Sequence, residues 1–155
     1  MKKKLLVVMA LIIMAICSGC FNDPVKSDLE AYVKFEQSAN KEMSSFSAEF
    51  IAKANVAADK AEKLRILNEG MQKMLAIAEK QKAYEPKTPE VIAIHNKALS
   101  VLNITLGMFD ELIQALETDS LTPEQLNGIN RKQQEINRLT TEYNNEVKAL
   151  LEKKK

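Results

Sequence analysis

Hydrophobic residues recur at intervals of three and four along almost the whole chain after residue 27. This spacing places apolar side chains on one face of an α-helix, which makes one turn every 3.6 residues. A half-buried strand would instead alternate apolar and polar residues over a short run, and the sequence contains no such run. The pattern therefore predicts an all-α protein.

Two overlapping signals mark the start of the first helix. Pro24 suits the first helical position, and Ser27 with Glu30 three residues later has the pattern of a capping box. Together they predict a start between residues 24 and 28. The apolar stripe then continues without a proline to Tyr84, which read literally gives one helix of about 58 residues and about 87 Å.

The later helix starts are also marked by proline. Thr88-Pro89 opens one helix, and Thr122-Pro123 opens the last one, with Gln125 completing a capping box. Each of these helices is close to 30 residues long, or about 45 Å at a rise of about 1.5 Å per residue.

The lengths of the later helices favour a break in the first stretch. A single first helix would extend half of its apolar stripe beyond any partner, whereas a turn at residues 55–59 gives four matched helices of about 27 to 30 residues. We therefore predict an antiparallel up-down four-helix bundle over residues 27–152. Because Asn55 to Ala58 is a weak turn signal, a three-helix bundle with a long or kinked first helix stays as the alternative.

The first 19 residues have the pattern of a secretion signal. Three lysines at positions 2–4 precede an uninterrupted apolar run from Leu5 to Ile16. A helix of that length spans roughly 18 Å, well short of the ~30 Å hydrocarbon core of a bilayer. A cleaved signal is therefore favoured over a permanent transmembrane helix.

The apolar run ends in Ser18-Gly19-Cys20, two small residues before a cysteine. This sequence resembles the lipobox of bacterial lipoproteins, although Cys17 occupies a position that is usually aliphatic in that motif. The resemblance implies that Cys20 becomes the first residue, joined through a thioether to diacylglycerol and carrying acyl chains such as palmitate. Two or three such chains hold a protein on a membrane effectively permanently. A redox pair of Cys17 and Cys20 would need a folded context that a signal segment does not supply.

The predicted organisation follows from these signals. Residues 1–19 are the signal peptide, 20–26 the lipidated cysteine and a short linker, 27–152 the helical bundle and 153–155 a basic tail. The expected location is the outer, extracytoplasmic face of the cell membrane. The segment Pro86 to Val91, followed by Ile94-His95, is also similar to a helix start in small helical lipoproteins of Gram-positive bacteria. That group is mostly of unassigned function.

Composition limits the chemistry that this chain can perform. After removal of the signal, the 22 basic residues become 19 against 21 acidic ones, so the formal charge is −2 and a nucleic-acid partner is not expected. His95 is the single histidine, and no Glu-x-x-His pair, metal-ligand spacing or phosphate loop is present. We therefore expect no metal, no cofactor and no catalysis, with His95 packed in the core.

The third predicted helix is apolar around more of its circumference than the others. A helix of this kind either lies at the centre of the bundle or offers a spare face to a partner. Its flank residues Val101, Ile104 and Met108 form the predicted interaction surface. The residues expected to face the core are Leu99, Leu102, Leu106, Phe109 and Ile113.

Two hypotheses for function follow. The first is a lipid-anchored extracytoplasmic module that binds an envelope protein or polymer through one face of the bundle. The alternative is a carrier or sensor that holds a small apolar ligand between the helices, near Met71, Met74, Met108 and Phe109. A carrier should contain a cavity of about 300 Å³ or more between its helices.

Replacing Cys20 with serine tests the lipid anchor. Without the thiol no thioether forms, so Cys20→Ser is expected to leave the membrane fraction or to accumulate with its signal attached. Cell fractionation combined with intact-mass measurement distinguishes these products. Cys17→Ser is the matched control and should stay processed and membrane-bound. A processed Cys20→Ser chain in the membrane fraction would contradict the prediction.

Overall fold

The computed structural model describes residues 23–152, and all regular secondary structure in that range is α-helical. The four helices are α1 (Pro24–Val56), α2 (Lys60–Lys82), α3 (Pro89–Glu117) and α4 (Pro123–Glu152). This confirms the predicted fold class and number of helices. Cys20, the signal segment and the basic tail 153–155 lie outside the described residues.

Successive helices run antiparallel, as in an up-down bundle. In the ion pairs between neighbours, a later residue of one helix pairs with an earlier residue of the next. They are Glu42–Lys80 and Lys53–Glu69 between α1 and α2, and Lys97–Glu146 and Glu111–Lys132 between α3 and α4.

The three-helix alternative is wrong, because α1 ends at Val56 and α2 begins at Lys60. A reciprocal pair of hydrogen bonds makes the turn: the Asp59 carboxylate accepts from the Glu62 backbone N–H at 2.8 Å, and the Glu62 carboxylate accepts from Ala58 N–H at 3.1 Å. Both bonds satisfy backbone donors that the start of a helix leaves free.

The other helix starts follow the proline signals, with one correction. The capping box predicted at Ser27 is absent, because α1 already begins at Pro24 and Asp23 caps it, accepting from Val25 N–H at 2.9 Å. At α4 the predicted box is confirmed: Thr122 N–H donates to Gln125 Oε1 at 2.9 Å, and Gln125 N–H donates to Thr122 Oγ1 at 3.2 Å.

Helix α3 is the central element of the described bundle. It contacts α1, α2 and α4, whereas α2 and α4 do not contact each other. Among the described helices, α3 is the one long and apolar enough to cross a membrane by length and composition. Its contacts with three neighbours account for part of that composition, but 22% of the apolar window is buried, so much of its apolar surface is left uncovered.

Residues from other helices stabilise both ends of α3. At its N-terminus, Asp28 of α1 is buried and its Oδ2 accepts from Thr88 N–H at 2.7 Å, Thr88 Oγ1–H at 2.8 Å and Lys87 N–H at 2.9 Å. At its C-terminus, Lys60 of α2 donates to the Glu117 carbonyl at 2.9 Å and pairs with Asp119 at 2.6 Å. A carboxylate at the N-terminus and an ammonium at the C-terminus both complement the helix dipole.

The apolar interior forms two clusters at different heights. We call the end with residue 23 and the α2–α3 loop the lower end, and the end with the other two turns the upper end. The lower cluster combines residues of α1, α3 and α4: Leu29, Tyr32, Val33, Val91, Ile94 and Val147. The upper cluster combines residues of α1, α2 and α3: Met43, Met74 and Ile77, covered by Phe46, Leu102, Leu106 and Phe109.

A glycine lets α1 approach α2 closely beside the upper cluster. A Cβ at Gly70 would lie 2.8 Å from the Phe50 ring and 3.1 Å from the Phe109 ring. Those two rings contact each other edge-on, with centroids 5.6 Å apart. The absent side chain therefore gives Phe50 the space in which it joins α1 to α3.

Asp28→Ala should destabilise the fold by about 2 kcal/mol or more, because it removes a cap and leaves buried N–H groups at the start of α3 unpaired. Urea denaturation measures the change. Asp59→Ala, which removes an exposed cap within α2, is the matched control and should cost about 1 kcal/mol. A smaller loss for Asp28→Ala than for Asp59→Ala would contradict this assignment.

Candidate functional site

The surface between α1 and α4 changes along the length of the bundle. In the lower cluster, Val33 of α1, Ile94 of α3 and Val147 of α4 are buried together. The upper cluster contains no residue of α4. The two helices therefore meet near the lower end and lie apart above it, which leaves part of α3 uncovered.

Three lines of side chains face this opening. Residues three and four apart share one face of a helix, so the faces buried in the lower cluster can be followed upward from Val33, Ile94 and Val147. On each of the three helices, the residues that continue this face towards the upper end are half-buried or exposed. We call this surface the groove; it comprises Asn40, Ser44, Ser47 and Ile51 of α1, Val101, Thr105, Met108 and Leu112 of α3, and Leu126, Ile129, Gln133 and Ile136 of α4.

None of the twelve groove residues is charged, in a chain that is 28% charged. Charged residues of the same helix segments lie on other faces and pair there, as Lys53 does with Glu49 and Lys132 with Glu111. Three apolar groove side chains are more than a third exposed: Leu112 at 37%, Ile51 at 41% and Leu126 at 47%. The groove is therefore an apolar and neutral polar surface within a highly charged exterior.

The structure places two of the three predicted interaction residues in the groove. Val101 and Met108 lie half-buried on its floor. Ile104 is also half-buried but lies on the α4-facing line of α3, between Lys97 and Glu111, which both bind α4. Of the residues predicted to face the core, Ile113 is buried, Leu99 is half-buried, and Leu102, Leu106 and Phe109 cover the upper cluster.

The region predicted for a small apolar ligand is occupied by side chains. Met74 is buried in the upper cluster and Phe109 packs against the Phe50 ring. A shallow depression lies elsewhere, on the outer face of α4. It is open and polar, and it is lined by Glu124, Asn127, Asn130, Arg131 and Gln134.

A group of polar residues, four of them buried and Tyr143 half-buried, lies directly below the groove. We call Tyr32, Glu36, Gln81, His95 and Tyr143, contributed by all four helices, the polar cluster. Tyr32 is fully buried, and its ring contacts the His95 ring edge-on at 5.6 Å between centroids. Four atoms of the cluster are buried without a hydrogen-bond partner within residues 23–152: Tyr32 Oη, Glu36 Oε1, Gln81 Oε1 and His95 Nδ1.

Burial shifts the titration of these groups. It raises the pKa of Glu36, with the neighbouring Tyr32 and Gln81 side chains opposing the shift. Burial lowers the pKa of His95, opposed by the Gln81 backbone. The pKa values of Tyr32 and Tyr143 are raised by burial and by the nearby Glu36 carboxylate, so both phenols stay neutral at physiological pH.

Sequence reasoning anticipated a packed His95 but overlooked the polar cluster around it. One signal was available: Glu36 follows Leu29 and Val33 on the apolar line of α1, where a charged residue is unusual. No three His, Cys, Asp or Glu side chains come together as a metal site within the part of the chain that the structure describes.

Glu36→Gln should stabilise the fold at pH 8 by about 1 to 3 kcal/mol, because the amide needs no buried charge. Since the folded pKa of Glu36 is raised, the wild type loses stability as pH rises through that value and regains it below the unfolded value near 4.5. The advantage of the variant should therefore shrink towards pH 4.5. His95 has the opposite slope but is common to both chains.

Urea denaturation at several pH values between 4.5 and 8 checks this expectation. The exposed Glu42→Gln on the same helix is the control, and it should change stability by less than about 1 kcal/mol throughout. A Glu36→Gln chain that is less stable than the wild type at pH 8 would show that the carboxylate is needed in its ionised form.

Comparison with known proteins identifies no relative of this chain. No protein-family model matches the chain, and neither a curated protein nor a solved structure matches it. The groove, the polar cluster and the N-terminal sequence are therefore the features that bear on function.

Proposed function

We propose that this protein is a lipid-anchored module on the extracytoplasmic face of the membrane that binds an envelope protein through the groove. The observation that carries the proposal is the set of twelve uncharged, incompletely buried positions on three helices. An exposed apolar surface of this extent, bordered by polar residues, is characteristic of a binding surface.

The groove suits an amphipathic α-helix. Its floor on α3 runs from Val101 to Leu112, about 17 Å or three helical turns at 1.5 Å per residue. Two helices flank this floor, so an incoming helix would complete a set of four around the upper half of α3. Binding of a helix in a groove uses aliphatic residues at positions i, i+3, i+4 and i+7 of the partner.

The neutral lining indicates what the bound face of the partner contains. Aliphatic residues would contact Val101, Met108 and Ile129, and hydroxyl or amide side chains would face Ser47, Thr105 and the other polar positions. A charged residue on that face would lose water without gaining a partner charge. We therefore expect the bound stripe of the partner helix to be uncharged.

The groove lies away from the lower end of the bundle, where α1 begins. Cys20 precedes Asp23 by three residues, and Asp23 caps α1 at the lower end. The floor of the groove begins twelve residues into α3, about 18 Å above that end. An anchored bundle would thus hold the groove away from the lipid surface, where a second envelope protein can reach it.

The proposal includes no catalytic role. His95 is 4% exposed and Glu36 is 8% exposed, so these two groups, whose pKa values are shifted by burial, are covered by the surrounding helices. These residues support the lower end of the groove rather than meeting a substrate.

Met108→Glu should reduce capture of the partner at least about tenfold, since it places a charge on the apolar floor of the groove. Asn103→Glu, on the exposed face of the same helix, is the matched control and should bind normally. Capture from detergent-solubilised native membranes by the lipidated protein measures the effect, and circular dichroism verifies that both variants are helical. Equal capture by the wild type and Met108→Glu would contradict the proposal.

A further inference from the structure

The polar cluster closes the lower end of the groove. On α1, Glu36 directly precedes the groove residue Asn40 on the same line, and on α4 the groove line leads down from Ile136 to Tyr143. Glu36 therefore lies where α1 and α4 begin to separate. A change in the volume or hydration of this site would alter the distance between α1 and α4, the two walls of the groove above it.

The cluster is incompletely satisfied in the closed arrangement. Among the residues that the structure describes, one oxygen of the Glu36 carboxylate and Gln81 Oε1 are buried without a hydrogen-bond partner. A neutral acid can remain there by donating its proton to a nearby acceptor. An ionised carboxylate can only accept, so it is stabilised when the helices separate and water enters.

Helix α1 is less buried in its upper part than near the lower end. No residue of α1 after Met43 is buried, and Phe46 and Phe50 are half-buried. Two ion pairs tie α1 to α2, and two others tie α4 to α3. None of the ion pairs among residues 23–152 joins α1 to α4, so these two helices can separate without breaking one.

We propose that Glu36 acts as a proton-operated gate for the groove: neutral Glu36 holds α1 against α4, and ionised Glu36 moves them apart and widens the groove. The use of this movement in partner binding rests on the proposed function, but the movement itself does not. Acidification outside the cell would then narrow the groove and release a bound helix.

The other titratable groups that face Glu36 do not produce the same response. They are Tyr32 of α1, Tyr84 after α2, His95 of α3 and Tyr143 of α4. The tyrosine pKa values are raised, so these phenols stay neutral between pH 5 and 8. His95 gains a proton on acidification and would then favour opening, which is opposite to the direction proposed for Glu36.

Distance measurement between spin labels tests the gate without any partner. Labels at Ser44→Cys on α1 and Asn137→Cys on α4, both exposed, are introduced into the full chain carrying Cys17→Ser and Cys20→Ser in detergent micelles. We expect the distance to lengthen by about 2 Å or more between pH 5 and pH 8, on the scale of helix shifts in known switches. Glu36→Gln should hold the short distance at both pH values.

The controls separate the gate from other effects. Glu42→Gln, on an exposed face of α1, should keep the response of the wild type. The gate is wrong if the wild-type distance does not change with pH, or if Glu36→Gln retains the change. If Met108→Glu captures as much partner as the wild type, the proposed partner helix is wrong. The spin-label distances do not depend on a partner, so they would still test the gate.

Discussion

The carboxylate of Asp28 holds together elements that are distant in the sequence. It comes from the second turn of α1, yet it binds the backbone of the α2–α3 loop and the start of α3, 60 residues later. This contact fixes the height of α1 relative to α3, and with it the pairing of Tyr32 with His95 and of Phe50 with Phe109. The Thr88 hydroxyl donates to Asp28, and Thr88 makes no side-chain cap bond to its own helix. The start of α3 is thus complete only when α1 is in place.

The groove forms because α1 has different neighbours near the lower end of the bundle and further up. Near the lower end it packs between α2 and α4 on the surface of α3, and further up it stays with α2 through Glu42–Lys80 and Lys53–Glu69. Helix α4 remains on the opposite side of α3. Two helices that follow different neighbours must diverge, and the side chains between them lose their cover. The same divergence leaves Glu36 at the junction, partly deprived of polar partners.

Much of the fold was predictable because local signals and periodicity agree in it. Pro24, Pro89 and the Thr122–Gln125 box mark the observed helix starts. The break after Val56 was predicted from matching helix lengths, but α1 has 33 residues and α2 has 23, rather than the roughly 27 to 30 expected of each. The capping pair of Asp59 and Glu62, which makes that break, is visible in the sequence but was overlooked. The groove was only partly predictable: Val101 and Met108 stood out as apolar flank residues, whereas the exposure of Ile51 and Leu126 depends on the separation of α1 and α4. Periodicity within one helix carries no information about that distance.

The long separation between Asp28 and Thr88 also orders the events of folding. Helices α2, α3 and α4 form antiparallel pairs from adjacent segments, which close with little loss of chain entropy. The contacts of α1 with α3 join residues about 60 positions apart, so they form late although α1 is synthesised first. Until then Phe50 can pack on α2 beside Gly70, but the side of α1 that will face α3 stays exposed as the apolar face of an amphipathic helix. A chaperone that recognises such helices would therefore bind α1 before α3 is present to cover its apolar face.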